Sequence, residues 1–345
     1  MSTLWRPSSE KIDSTQIVDF AKYVGQHLDG QHFDYDQLWK WSIDFREEFW
    51  RSIWDFCEVV GEKGDVVLVN DKMPGAHWFP EAKLNFSENL LKRRDSGEAL
   101  VFSGEDGQRL SLSYSELFEK VRCLQGALKR VGVVEGDRIA AYLPNAPEAI
   151  IGMLAASSLG AIWASCSPDF GSEGVIDRFS QIKPKVFISC TGYTYKGKKV
   201  AIQDKVEKIV SELPGLKEVV IVPCLNREND SGDFLHFKGL SASFFNEFLQ
   251  SGKHNSLTFS QLPFSHPLYI MFSSGTTGKP KCICHATGGV LLQHNKELQI
   301  HSDVQNNDRV FYFTTCGWMM WNWLVGALAA GATILLFDGF PMYKK

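Results

Sequence analysis

Nine consecutive residues, 273–281, combine hydroxyl, glycine and lysine residues at a spacing that suits phosphate binding. Gly275 and Gly278 permit backbone conformations that other residues resist, so successive N–H groups can converge on one anion. The hydroxyls can donate hydrogen bonds to phosphate oxygens, and the lysines add two positive charges suited to a polyphosphate. We therefore predict a phosphate-binding loop made by Ser273, Ser274, Gly275, Thr276, Thr277, Gly278, Lys279 and Lys281.

The spacing of the glycines distinguishes this loop from the Walker loop of kinases and GTPases. A Walker loop has four residues between its first glycine and a Gly-Lys-Ser/Thr end that opens a helix. Here two residues separate Gly275 from Gly278, and Pro280 follows Lys279, which argues against a kinase or GTPase. A solvated turn between strands is the structural alternative, because Ser, Thr, Gly and Pro are common turn residues.

Two short apolar segments flank the loop and complete a recognisable pattern. Residues 268–272 are an apolar run typical of a buried strand, and residues 283–285 follow the loop as a second strand. Together they resemble the phosphate-binding signature of the adenylate-forming superfamily, which includes acyl-CoA synthetases, luciferases and the adenylation domains of peptide synthetases. The resemblance implies that a carboxylate is activated by ATP as an acyl-adenylate. It also implies that Lys279 stabilises charge on the leaving pyrophosphate.

Three further segments resemble the acetyl- and acetoacetyl-CoA synthetase branch of that superfamily. Residues 78–91 match its Trp-Phe-Pro and Glu-Asn-Leu-Leu junction, although Glu81 stands where the branch usually has glycine. Residues 165–171 and 175–179 are more similar to acetoacetate enzymes than to generic members. The resemblance implies ligation of acetoacetate to coenzyme A, with ATP and Mg²⁺, which feeds lipid and sterol synthesis from ketone bodies. We expect the protein to be a monomer. Acetate, propionate and butyrate are the alternative acids.

The same resemblance assigns two more sets of residues. Coenzyme A is expected at a basic cluster and a nearby helix arginine: Lys196, Lys198, Lys199 and Arg178. The alternatives are a solvated basic turn for the cluster and an ion pair on the helix surface near Asp177 for Arg178. In the segment expected to line the acyl pocket, an amide can donate to a keto oxygen, and core packing is the alternative for the tryptophans. The residues of this segment are Trp318, Met320, Trp321 and Asn322.

The elements that must position these residues follow an α/β pattern over residues 99–345. Segments 115–131 and 146–158 have helical patterns, and segments 139–143 and 162–165 have strand patterns. The alternation predicts an α/β fold with parallel strands. The resemblance identifies it as the large amino-terminal domain of an adenylate-forming enzyme, with αβαβα layers, truncated and without the carboxyl-terminal lid domain.

A separate helical, tryptophan-rich region is predicted over residues 1–98. It resembles the amino-terminal region of the acetyl- and acetoacetyl-CoA synthetases. Within it, apolar residues recur at the spacing of one amphipathic helix packed on a core: Leu38, Trp41, Phe45, Phe49, Ile53 and Phe56.

Composition indicates an ordinary globular protein and argues against a nucleic-acid partner. The chain has 345 residues, is 44% hydrophobic and carries a formal net charge of −4, with no long run of Lys or Arg. Eight scattered cysteines and a start without an apolar signal core predict reduced thiols in the cytosol. Cys282 and Cys284, beside His285, are expected to pack in the core rather than bind zinc, because four ligands are not at hand.

One uncharged segment is long enough to be considered as a membrane span. Residues 310–337 contain no charged residue. Gly326 and Gly331 divide the segment, however, and predict a helix over 319–330 followed by a strand over 333–337. A helix followed by a strand fits a buried parallel sheet, so membrane association is not expected.

The resemblance ends at about residue 338, whereas complete members of the family continue much further. Their remaining part carries the adenine- and ribose-binding residues, a magnesium-binding glutamate and the lid domain with a catalytic lysine. We therefore expect an amino-terminal portion or shortened isoform, without metal ligands and without ligase activity alone. A non-catalytic role is the alternative.

Overall fold

The structure, a computed structural model, describes residues 4–27, 33–225, 236–237, 239–273 and 278–342. Its helices are α1 (Ser9–Asp13), α2 (Gln16–His27), α3 (Tyr35–Asp44), α4 (Arg46–Phe56), α5 (Phe86–Leu90), α6 (Tyr114–Arg130), α7 (Pro147–Ser158), α8 (Ser172–Ile182), α9 (Gln203–Ser211), α10 (Phe245–Ser251), α11 (Thr287–Asn295) and α12 (Met319–Val325). A π-helical turn, Lys296–His301, continues α11, and a 3₁₀ turn, Gly326–Ala330, continues α12.

The strands form two larger sheets and three small ones. They are β1 (Gly61–Glu62), β2 (Leu68–Val69), β3 (His77–Trp78), β4 (Lys83–Leu84), β5 (Glu98–Gly104), β6 (Arg109–Ser113), β7 (Arg138–Tyr142), β8 (Ile162–Cys166), β9 (Val186–Cys190), β10 (Gly192–Tyr195), β11 (Lys198–Ala201), β12 (Glu218–Val222), β13 (Ser241–Phe244), β14 (Leu262–Pro263), β15 (Pro267–Ser273), β16 (Lys281–Ala286), β17 (Arg309–Phe311) and β18 (Thr333–Asp338).

The larger sheet has the strand order β13-β12-β9-β7-β8-β15-β16. The first six strands are parallel, and β16 returns antiparallel to β15. The chain passes from β7 to β8 on one side and later returns to β9 on the other, so the strand order reverses between β7 and β9. The loops after all six parallel strands therefore meet at one edge, which we call the carboxyl edge. The predicted α/β fold with parallel strands is confirmed.

Local sequence signals explain where two helices beside this sheet begin and why two of its strands are fully buried. Helix α6 starts with a capping box, in which the Ser113 hydroxyl accepts from the Glu116 N–H at 3.2 Å and the Glu116 carboxylate accepts from the Ser113 N–H at 2.8 Å. Helix α7 starts at Pro147, whose missing N–H would have no partner in the first turn. Strands β9 and β12 are buried at every residue, as expected for parallel strands covered on both faces.

The second large sheet has the order β17-β18-β5-β6, in which β6 alone is antiparallel. Its strand β18 is the strand predicted in the uncharged segment. The helix predicted over 319–330 ends earlier, at Val325, and continues as the 3₁₀ turn. No helix in the described ranges is both long and apolar enough to cross a membrane.

The single amphipathic helix predicted near the amino terminus is wrong, because two helices, α3 and α4, occupy that segment. They are separated at Phe45, whose φ of −123° and ψ of 61° are not helical and whose side chain is exposed. Phe49 still packs inward, with its ring centroid 6.0 Å from that of Trp41 and 6.1 Å from that of Phe20. The periodic pattern survives because the break changes the helix direction while leaving the apolar faces on one core.

Close packing of α10 on α6 predicts a large effect for one glycine substitution. A Cβ at Gly252 would lie 2.0 Å from the carbonyl oxygen of Cys123 and 2.4 Å from the backbone nitrogen of Ala127. Backbone atoms cannot move aside as side chains do, so we expect Gly252→Ala to destabilise the fold by about 1–3 kcal/mol. Gly289→Ala is the matched control, because a Cβ there meets open space. Equal urea midpoints for the two variants would contradict this packing.

Candidate functional site

The predicted phosphate loop connects β15 to β16 at the carboxyl edge of the large sheet. Ser273, the last residue of β15, is the register partner of Lys281, the first residue of β16. Gly278 has a φ of 97°, which residues with a Cβ rarely adopt, and Lys279 and Lys281 are exposed. The structure thus places Ser273, Gly278 and both lysines at the tip of one hairpin. The remaining predicted loop residues lie outside the described residues: Ser274, Gly275, Thr276 and Thr277.

Helix α8 supports the exit of this loop. The Gln181 Nε2 donates to the carbonyl oxygen of Pro280 at 2.9 Å. Two residues earlier on α8, the fully buried Phe179 packs edge to face on Phe272 of β15, with ring centroids 6.1 Å apart. No sequence signal marks Gln181, because the contact joins residues that are 99 positions apart.

A buried amide joins the carboxyl edge to the second sheet. Asn145, in the loop after β7, is 1% exposed, and its Oδ1 accepts from the indole Nε1 of Trp321 at 3.0 Å. Its Nδ2 donates to the carbonyl oxygens of Thr314 at 3.3 Å and Phe337 at 3.4 Å. A buried indole N–H requires such a partner. Trp321 therefore packs in the core, which is the alternative for the tryptophans of this segment, and its assignment to the acyl pocket stays a prediction.

A cavity of about 690 Å³ lies between the β15–β16 hairpin, α11 and α12. Of the residues expected in the acyl pocket, Met320 lines this cavity, and Trp318 is 64% exposed at the start of α12. Asn322 is buried, with its Nδ2 3.1 Å from the sulfur of Met271, and its Oδ1 has no partner among the described residues. Apolar walls with a few polar groups are typical of small-molecule sites.

Two histidines lie on the wall of this cavity. Burial lowers the pKa of His294 to about 3, and a smaller contribution of the same sign comes from His285. Burial also lowers the pKa of His285, whose ring centroid is 5.0 Å from that of its register partner Tyr269. Both rings are therefore neutral at neutral pH, so the cavity carries no imidazolium charge. No sequence pattern marks them, because α11 and β16 bring them together only in the folded chain.

The basic cluster forms the turn of the β10–β11 hairpin, also at the carboxyl edge. The Lys196 ammonium lies 4.8 Å from the ring centroid of Phe340, Lys199 donates to the carbonyl oxygen of Leu225 at 2.9 Å, and Lys198 is exposed. Arg178 makes different contacts. It donates to the Gly174 carbonyl at 2.5 Å within α8, and its guanidinium stacks 4.9 Å above the ring of Phe170. The assignment of these four residues to coenzyme A stays a prediction.

Carboxyl groups connect the turn of this hairpin to the second sheet. Glu105 accepts hydrogen bonds from the backbone N–H of Gly197 and, at 2.5 Å, of Phe340. Although burial opposes the shift, backbone N–H groups, including these two, lower the pKa of Glu105. Nearby Asp338 behaves in the opposite way: burial, with added repulsion from neighbouring carboxylates, raises its pKa to about 7. No local sequence pattern distinguishes either carboxyl group.

The expected core position of Cys282 and Cys284 is wrong, because both residues are exposed. They lie on one face of β16, as predicted, but β16 is an edge strand whose first four residues are exposed. Throughout the described part of the chain, no group of three or more His, Cys, Asp or Glu residues is placed to hold a metal ion.

Comparison with known proteins gives a consistent result. The model of the AMP-binding enzyme family matches residues 87–345, and that of the acetyl-coenzyme A synthetase N-terminus matches residues 35–90. Acetoacetyl-coenzyme A synthetase of Rhizobium meliloti (strain 1021) is 48% identical over 98% of this chain and 51% of its own length. Malonamoyl-CoA synthetase vrtB of Penicillium aethiopicum is 38% identical over 99% of this chain and 48% of its own length.

A solved structure is similar to this chain over a comparable part of its length. Acetoacetyl-CoA synthetase from Streptomyces lividans superposes with a TM-score of 0.90 at 36% identity, over 99% of this chain and 52% of that one. The chain therefore spans about half the length of the relatives that it matches.

Proposed function

The chain belongs to the AMP-binding enzyme family, and on this basis we propose that it forms the amino-terminal part of an ATP-dependent acid–thiol ligase for acetoacetate. The observation that carries the proposal is the β15–β16 hairpin, which presents Lys279 and Lys281 at the carboxyl edge. Ligands of open α/β sheets bind outside the carboxyl ends of the strands.

The proposed reaction has two steps. A carboxylate oxygen of the acid bonds to the α-phosphorus of ATP while the bond from that phosphorus to the pyrophosphate oxygen breaks. The thiol of coenzyme A then attacks the acyl carbon of the adenylate, loses its proton and displaces AMP. Because the first step develops charge on the leaving pyrophosphate, two ammonium groups and the hydroxyl of Ser273 at the hairpin tip can stabilise that charge directly.

The choice of acid is supported by what the named relatives share. The acetoacetyl and malonamoyl groups of their names both carry a carbonyl on the third carbon. Acetate, propionate and butyrate lack this group and are not favoured. We place the acyl chain in the cavity beside α12, with Met320 on its wall.

The remaining parts of the proposal follow from the family. Mg²⁺ would enter with ATP, and no step here is assigned to it because the described residues offer no cluster of metal ligands. Coenzyme A would approach Lys196, Lys198, Lys199 and Arg178. The eight cysteines are free, which supports a reducing compartment such as the cytosol. There a monomeric enzyme would supply acetoacetyl-CoA to lipid synthesis.

The test is exchange of labelled pyrophosphate into ATP in the presence of each acid. The 345-residue chain is assayed alone and together with the carboxyl-terminal half of the Rhizobium meliloti relative as a second polypeptide. We expect exchange in the mixture with acetoacetate, at least tenfold above that with butyrate, because unpaired polar groups disfavour the analogue.

The control is the Rhizobium meliloti enzyme divided at the matching position and recombined. If the recombined control is active while the mixture shows no exchange with any acid, the ligase function is wrong. Faster exchange with acetate or butyrate than with acetoacetate would refute the substrate only.

A further inference from the structure

A histidine on the wall of the cavity has no hydrogen-bond partner within the described part of the chain. His294 is 6% exposed, lies in α11 and faces the cavity that also contacts Tyr269 and His285. Its Nδ1 is fully buried, and neither ring nitrogen has a hydrogen-bond partner among the described residues. Because the ring lines the cavity and Nδ1 is inaccessible, we infer that Nε2 is the nitrogen that a molecule in the cavity would meet. Buried polar groups almost always have a partner, so an unpaired imidazole beside a cavity indicates a ligand.

The packing around His294 fixes the ring in place. A Cβ at Gly326 would lie 2.9 Å from Nδ1 and 3.0 Å from the Cβ of His294, so only glycine leaves room for the ring there. The π-helical turn begins at Lys296, two residues after His294. Such turns inside helices occur frequently at functional sites. The imidazole is therefore held against the cavity rather than free to rotate into solvent.

The protonation state of the ring selects the kind of group that it can bind. Because burial keeps the imidazole neutral, one ring nitrogen is a donor and the other an acceptor. An unpaired N–H in a protein interior is rarer than an unpaired acceptor, so the unpartnered Nδ1 is expected to carry no proton. The proton of the neutral ring is then on Nε2, toward the cavity. A neutral N–H suits a carbonyl oxygen, whereas a second carboxylate would call for a positive charge.

The cavity is placed so that an acid activated at the hairpin can reach this ring. Its floor includes Tyr269 and His285, which are register partners on β15 and β16. His285 lies four residues beyond Lys281 on β16, which corresponds to about 13 Å along an extended strand. A phosphate at the hairpin tip and an acyl chain in the cavity therefore lie along the same strand.

We propose that His294 is a specificity residue that donates a hydrogen bond to the carbonyl oxygen on the third carbon of the acid. This inference rests on the proposed function, because it names the feature of the substrate that the site recognises. Butyrate has the same four-carbon chain as acetoacetate but lacks that oxygen. It would leave the imidazole unpaired, and an unpaired buried group is what makes such a site discriminate.

The inference can be tested by NMR titration of the full chain labelled with ¹⁵N-histidine. We expect acetoacetate to shift the ring ¹⁵N signal of His294 and to bind about three- to tenfold more tightly than butyrate, the range for one neutral hydrogen bond. His294→Ala and His294→Leu, which both remove the N–H donor, should abolish this preference. His301→Gln should keep it, because His301 lies on the π-helical turn and does not line this cavity.

Pyrophosphate binding, measured on the same samples, separates the two proposals. If pyrophosphate binds but wild type does not prefer acetoacetate over butyrate, or binds neither acid, the role of His294 is wrong. The same conclusion follows if both His294 variants retain the preference. Loss of pyrophosphate binding in wild type would instead count against the proposed ligase function. His294→Leu keeps a side chain of comparable size without a donor, so the test does not depend on the folding of the alanine variant.

Discussion

Replacing Lys279 with alanine is expected to weaken pyrophosphate binding by about 10- to 150-fold. One charge-assisted hydrogen bond contributes roughly 1.5–3 kcal/mol, which corresponds to that range. Lys279 is exposed at the hairpin tip, and Pro280 and Gln181 restrict the backbone that carries it. Its ammonium group therefore meets the ligand without first breaking a buried contact.

Isothermal titration of the chain with pyrophosphate measures this effect. Lys217→Ala is the matched control, because Lys217 is equally exposed but precedes β12, at the opposite end of the strands. Salt should weaken binding in wild type more than in Lys279→Ala, since the lost contact is electrostatic. Equal affinities for wild type and Lys279→Ala would show that the loop does not use this lysine for phosphate.

Sequence patterns predict those elements of the fold that depend on neighbouring residues. The strands found at β7, β8 and β15 are apolar runs with polar or glycine-containing boundaries, and α6 has its capping residues beside it. The pairing of β5 with β18 joins residues more than 230 positions apart, and no local pattern encodes it. Phe45 shows the related failure: its spacing fits one continuous helix, but its backbone angles are not helical and its side chain is exposed.

In the candidate site, too, features that depend on adjacent residues can be predicted from the sequence, and features that depend on distant residues cannot. The phosphate loop is recognisable because its chemistry resides in adjacent residues. The position of Trp321 in its segment predicts a place in the acyl pocket, but that position does not reveal that its indole donates to the buried Asn145. His294 carries no signal in the sequence, because its isolation arises only when α11, α12 and the hairpin pack together. Groups whose role depends on what surrounds them require the structure.

Asp338 should make the stability of the protein fall as the pH rises from about 4 to 7. Burial, opposed only in part by the backbone N–H of Asn145, raises its pKa to about 7, and Asp169, Glu105 and Asp106 add repulsion. An unfolded aspartate has a pKa near 3.9, so between about pH 4 and 7 the folded state holds a proton that the unfolded state has released. The contribution of Asp338 to the free energy of unfolding is fully present below pH 4 and is lost as the pH approaches 7.

Asp338→Asn removes this titration and keeps an oxygen that can accept from Asn145. We expect the variant to match wild type near pH 4 and to exceed it at pH 8 by roughly 1–3 kcal/mol. This value is smaller than the full pKa difference implies, because Asp338 is only partly buried and solvent screens its charge.

Urea unfolding at several pH values measures the difference. Asp65→Asn, at an exposed loop position, is the control that should show no such trend. If the difference in stability between wild type and Asp338→Asn does not change with pH, Asp338 is already ionised in the folded state. The neighbouring carboxylates would then be separated from it by more solvent than the packing of β18 indicates.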